Sequence, residues 1–129
     1  MRFVYSHSLV LALSLLTLAF SYTANAQNIS SGTFSGAGGH KARGAVSIVR
    51  SGGAAQVVFA KSFWFDGAPA PRVAFGNGRY VPGTIIAKLK RRAGSQSYTV
   101  PARIDLSKYS QVWIWCEKFN SPIAVANIR

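Results

Sequence analysis

From residue 44 onward the chain alternates short apolar stretches, rich in β-branched and aromatic residues, with glycine, serine and proline punctuation. A period of two between turn signals predicts strands with one buried face, and no stretch here carries the longer period of an amphipathic helix. GAVSIVR (44–50) runs into the turn SGGA, and AQVVFAKSFWF (55–65) breaks at the Asp-Gly and proline signals of DGAPAP. RVAFG (72–76) and TIIAKL (84–89) flank the turn-rich NGRYVPG. QSYTVPARI (96–104) contains Pro101, which lacks an N–H for the ladder and so belongs at a sheet edge or bulge. QVWIWC (111–116) and IAVANI (123–128) complete the series. Short strands at this spacing predict an all-β domain, a small antiparallel β-sandwich or barrel of about seven to eight strands.

Two segments leave the pattern ambiguous. In QVWIWC, alternation puts Val112, Ile114 and Cys116 on one face and Trp113 and Trp115 on the other. Both faces are apolar. Either Cys116 packs in the core like a small hydrophobe and the indoles lie outside, or the indoles are core and the thiol is exposed. In KLKRR (88–92), a continuing strand would place Lys88, Lys90 and Arg92 on one face, with Leu89 turned inward. Such a face is either a solvated edge whose lysines discourage pairing or a contact for a polyanion. No aromatic residues are interleaved there to stack on single-stranded nucleic acid.

The first residues follow another logic. Arg2 precedes the compact apolar run LVLALSLLTLAF, and TANAQ presents Ala24 and Ala26 ahead of a cleavage point after Ala26. This is the layout of a secretory signal peptide, and the run falls short of the ~20 residues that span a bilayer. The expected organisation is a signal peptide over 1–26, a flexible N-terminal arm over 27–31 that begins the glycine- and serine-rich segment 27–41, and one β domain over 32–129. The expected location is secreted or periplasmic, with nothing spanning a membrane after cleavage.

Charge narrows the partners. The chain has 15 Lys+Arg against three acidic residues, a formal net charge of +12, and cleavage after Ala26 would remove only Arg2 from that balance. Such a surface attracts anionic partners, among them cell-envelope polymers, acidic polysaccharide and lipid headgroups. Specific nucleic-acid recognition is not expected. The single cysteine excludes an internal disulfide; in an oxidising compartment it is buried, paired with another molecule, or reactive.

Few chemistries survive a count of ligands and bases. Beyond the leader, His40 is the only histidine, in the loop sequence GAGGHKARG, with no hydrolase motif around it. A blue-copper site would need a second histidine and usually a methionine. The haem-attachment motif, the cysteines of an iron–sulfur cluster and four zinc ligands are all missing from the sequence. No cofactor is expected, and nothing marks a conventional enzyme. If the chain handles electrons alone, the sulfur of Cys116 must do so. Lys118 shares its face if the strand continues and would stabilise the thiolate; His40 is a second candidate tuner. Asp66, before Gly67, reads as a turn residue bonding its local backbone.

Four stretches together, GTFSGAGGHKARGAVSIV, FWFDGAPAPRVAFG, GSQSYTVPARIDLSKYSQVWIWCEKF and IAVANI, resemble the DM-thirteen domain family, also called the electron-transfer DM domain. In that family a glycine-led strand with a following histidine opens the domain. A phenylalanine-rich strand runs into an Asp-Gly-x-x-Pro turn, and a late V-x-I/V-W-C-x-x-F strand carries a signature cysteine. The resemblance spans about residues 32–129. It implies a small β-sandwich or barrel and a redox role in which Cys116 is the signature cysteine. Multidomain relatives join this module to DOMON-type and cytochrome-b-type domains; here the resemblance implies a separate redox partner protein. The alternative is a non-catalytic cationic module for anionic envelope polymers, using Lys88, Lys90, Arg91 and Arg92 together with the face of Trp113 and Trp115 if it lies outside.

Overall fold

The computed structural model describes residues 26–129. The expected signal peptide, apart from Ala26, lies outside the described residues. The described chain forms ten strands: β1 (Gln27–Gly36), β2 (Ala42–Arg43), β3 (Ala45–Ser51), β4 (Ala54–Phe59), β5 (Trp64–Phe65), β6 (Pro71–Gly76), β7 (Ala87–Lys88), β8 (Gln96–Thr99), β9 (Gln111–Cys116) and β10 (Ser121–Asn127). One 3-10 turn, Leu106–Lys108, precedes β9. Eight strands form an antiparallel sheet in the order β7-β6-β9-β10-β1-β3-β4-β8, nearly closed into a barrel, and β2 pairs with β5 beside it.

The alternation that predicted β3 and β4 is what builds the core. Val46 and Ile48 of β3 and Ala55, Val57 and Phe59 of β4 all turn inward. Phe34, Phe59 and Phe63 meet them as an aromatic cluster, with Phe34–Phe59 and Phe59–Phe63 centroids 5.0 and 4.6 Å apart in edge-on geometry. Val73, Phe75, Val112, Ile114, Ile123, Ala124 and Ala126 fill the other side.

The barrel seam lies between the end strands β7 and β8. There the backbone ladder is replaced by side chains. The Lys90 N–H donates to the Tyr98 hydroxyl at 2.9 Å, and the Arg91 N–H donates to Gln96 Oε1 at 3.1 Å. Gln96 Nε2 in turn donates to the Arg91 and Gly94 carbonyls. Buried backbone groups need partners, and Gln96 and Tyr98 supply them where no strand does.

Several boundaries differ from the sequence expectation. Residues 27–31, expected to be a flexible arm, are the first half of β1 and pair with β3, Gln27 opposite Arg50. The ladder partners override the weak strand preference of Gln27, Asn28, Ser30 and Ser31. The expected strand 84–89 shrinks to Ala87–Lys88, and 55–65 divides into β4 and β5 around a turn. Pro101 lies just beyond β8, an end strand of the sheet, as the missing N–H requires.

Candidate functional site

The ambiguity of β9 is resolved by its neighbours. The strand runs between β6 and β10, with Ile114 opposite Val73 and Ala124. Val112, Ile114 and Cys116 face inward, and Cys116 is 1% exposed. Trp113 and Trp115 are half-buried on the outer face. The interior, already filled by phenylalanine rings, takes the small side chains. The outer face has the room that indoles need: Trp113 lies opposite Ala74 and Val125. Its ring also crosses Gly76, where a Cβ would fall 2.3 Å from Trp113 Nε1. Only glycine allows that approach.

Cys116 ends β9, its Cα paired with Pro71 and Ser121. Its thiol is free and has no hydrogen bond among the described residues. Neither expected tuner hydrogen-bonds to it among the described residues. The chain turns at 117–120, with Asn120 in the left-handed region at φ 47°, so the strand does not carry Lys118 onto the face of Cys116. The Lys118 ammonium instead sits 5.5 Å from the exposed Phe119 ring.

His40 is held elsewhere. Its Nδ1 donates to Asp66 Oδ1 at 2.8 Å, while Asp66 Oδ2 accepts the Lys41 N–H at 3.0 Å. Asp66 therefore joins the turn before β2 to the segment after β5, in addition to the local backbone bond the sequence suggested. The hydrogen bond from His40, with that from Lys41, lowers the Asp66 pKa below the ordinary carboxylate value of 3.8. A depressed folded-state pKa contributes stability that is complete above the unfolded value and is lost as pH falls through the folded one. Asp66→Asn should therefore flatten the dependence of the thermal midpoint on pH below about 4, the unfolded aspartate range. A wild-type slope persisting in the variant would assign the acid sensitivity to other groups.

The basic segment does not form the expected one-face array, because β7 ends at Lys88. Lys88 is exposed. Lys90 Nζ donates to the Ser97 carbonyl at 2.7 Å and lies 5.0 Å from the Tyr98 ring. Arg91 bonds the Ser95 carbonyl, and Arg92 covers Gly67. No carboxylate pairs with any of these four among the described residues. Asp66 is engaged by His40, Glu117 accepts from Arg72 Nε at 3.1 Å, and Asp105 caps the 3-10 turn through Ser107.

The outward indoles were one of the two readings of β9, but the addition of Tyr80 to them escaped sequence reasoning. Tyr80 stacks on Trp115 with centroids 3.9 Å apart and planes at 10°, and Trp113 meets Trp115 edge-on at 6.3 Å. Each indole N–H is used, Trp113 to Gln111 Oε1 at 3.0 Å and Trp115 to Asn120 Oδ1 at 3.1 Å. Partial burial, then the nearby Glu117 charge, raises the Tyr80 pKa above 10.0. The only sequence signal was an aromatic residue inside NGRYVPG; that this loop folds over β9 is a tertiary fact. A protein thiol thus lies inside β9, and one residue away a pinned aromatic stack lies outside it.

Among the described residues, no three His, Cys, Asp or Glu side chains come together to hold a metal, and no helix is long and apolar enough to cross a membrane. A family model described as Electron transfer DM13 matches residues 33–128. No curated protein and no solved structure matches the chain.

Proposed function

The chain belongs to the Electron transfer DM13 family, and from that premise we propose that it is an exported electron-transfer module whose redox centre is the thiol of Cys116, serving a separate redox partner protein. The observation that carries this reading is the placement of Cys116. It holds the only sulfur in residues 26–129, and it sits 1% exposed on the strand whose outer side bears Trp115 and Tyr80. Enclosure keeps the thiol from casual oxidation, so exchange requires a docked partner or an opening of the segment around the 117–120 turn.

A second reading, a cationic module for anionic envelope polymers, is favoured by the commitment of all three acids to local partners, which leaves Lys88, Lys90, Arg91 and Arg92 without carboxylate counter-charges. One comparison separates the two. Cys116→Ala, which leaves no buried hydroxyl unpaired, should keep the fold and the salt-sensitive retention on an anionic polymer column but consume no oxidant in a mediated redox titration. Undiminished oxidant consumption by the variant would remove the sulfur from the role. The same preparation, recovered outside the cytoplasm with Gln27 as its first residue, would bear on export; an intact Met1 would oppose it.

A further inference from the structure

The end of the barrel beside the 3-10 turn combines an arginine without a partner and an apolar groove. On β3, Val46 and Ile48 point into the core, and Arg50 is the next residue on that side. It stands opposite Gln27 of β1 and Ala55 of β4, where the barrel opens to solvent. Other arginines have local tasks: Arg72 pairs with Glu117, Arg91 and Arg103 donate to carbonyls, and Arg43 lies 4.9 Å from the Trp64 ring centre. Apart from its backbone in the ladder, Arg50 makes no hydrogen bond or ion pair through its guanidinium among the described residues. It remains exposed, so its charge is solvated and available.

Two grooves meet at Arg50. One, of about 370 Å³, is lined chiefly by Ile29, Ile48, Leu106, Tyr109 and Ile128, with Arg129 at its rim. The other, of about 420 Å³, shares Arg50 and Leu106 and continues past Val100, Pro101 and Ile104. Ile29 has its own peculiarity. The β1–β3 register shifts between Asn28 and Ser30, which leaves Ile29 without a cross-strand partner. A bulge of this kind re-aims a side chain, and here an isoleucine that is 43% exposed lines the groove. Barrel mouths are recurrent small-molecule sites, and these volumes fall in the range such sites occupy.

We propose that this mouth binds an amphipathic carboxylate with a single aliphatic chain, the chain lying along Ile29, Ile48, Leu106 and Ile128 and the carboxylate held by Arg50. The guanidinium fork matches two carboxylate oxygens. The walls beyond it are mostly hydrocarbon, with Ser30 and Ser107 the small polar exceptions and Arg129 a second cation, and a polymer of repeated charges would leave that apolar surface unused. The site is separate from Cys116, and the proposal does not depend on the redox reading.

Calorimetric titration of the purified chain with dodecanoate, below its micellar concentration and at low ionic strength, tests this. The expected result is saturable binding of one dodecanoate per chain. Acetate, which lacks the chain, and dodecyltrimethylammonium, which reverses the charge, should give no saturable heat. Arg50→Gln should weaken dodecanoate about tenfold, the loss of a charge-assisted bond, and Ile29→Ser should weaken it as well. Both positions are exposed, so the circular dichroism spectrum should not change. Lys61→Gln removes one exposed charge just beyond the other end of β4 and should alter affinity less than twofold. Absent saturation, equal affinity of Arg50→Gln and wild type, equal losses in Arg50→Gln and Lys61→Gln, or equally tight dodecyltrimethylammonium would each overturn the proposal.

Discussion

In the folded chain, Cys116 should be alkylated at least about a thousandfold more slowly than in the unfolded chain at the same pH. At 1% exposure its sulfur is out of reach of a reagent unless the end of β9 opens. Opening free energies run from near zero at frayed ends to the global stability of about 5–15 kcal/mol. An opening cost of about 4 kcal/mol already gives a thousandfold, since each 1.4 kcal/mol is a factor of ten. Measuring both states at one pH removes the ordinary thiolate fraction, set by a free-thiol pKa of about 8.5, from most of the comparison. Comparable rates would mean that the end of β9 frays readily, and direct thiol exchange would then need no induced opening. A large ratio makes the partner responsible for access, and it turns attention to the Trp115–Tyr80 face behind which the sulfur lies.

Phe59→Ala should cost about 3–5 kcal/mol, the range for deleting a buried phenylalanine side chain from a packed core. Phe59 is fully buried and stands at the centre of three edge-on contacts, with Phe34 at 5.0 Å, Phe63 at 4.6 Å and Tyr98 at 5.5 Å. It also pairs with Val46 on one side and Gln96 on the other, so the cavity would loosen β4 beside the seam that Gln96 and Tyr98 hold. Urea unfolding should show a lower midpoint with an unchanged slope. For a domain of this size the thermal midpoint should fall on the order of 15–30 °C. A loss below about 1 kcal/mol would show that the aromatic cluster relaxes around the vacancy and does not organise the core.

How far the site could be read from the chain depends on the range of the interactions involved. The strands β3, β4 and β9 were legible because their alternation and bounding glycines are local properties. Lys118 misled because it needed the strand to continue two residues beyond Cys116, and a left-handed Asn120 completes a turn instead. KLKRR misled for a related reason. After Leu89, whose N–H still donates to the Pro71 carbonyl, the backbone leaves β6 and is held by Tyr98 and Gln96, residues from the far end strand of the sheet. Asp66 looked like a turn residue, but its partners, His40 and Lys41, come from a turn about 25 positions earlier. Tyr80 carried no signal of its stacking on Trp115.

By itself the sequence determined that this is an all-β chain with a family-specific late cysteine strand, one thiol without a disulfide partner in the chain, and a strongly cationic surface. Period, turn chemistry, counting and charge are properties of neighbours in the chain or of the whole composition, and they do not depend on how strands are arranged. Only the tertiary structure decided that Cys116 is inside and the tryptophans outside, that His40 serves Asp66, and that the Arg50 guanidinium stands at the barrel mouth without a partner among the described residues. Alternation defines two faces of a strand without saying which is covered. The choice rests on the volume offered by the neighbouring strands: an interior filled with phenylalanine on one side, and Ala74 and Gly76 leaving space for an indole on the other.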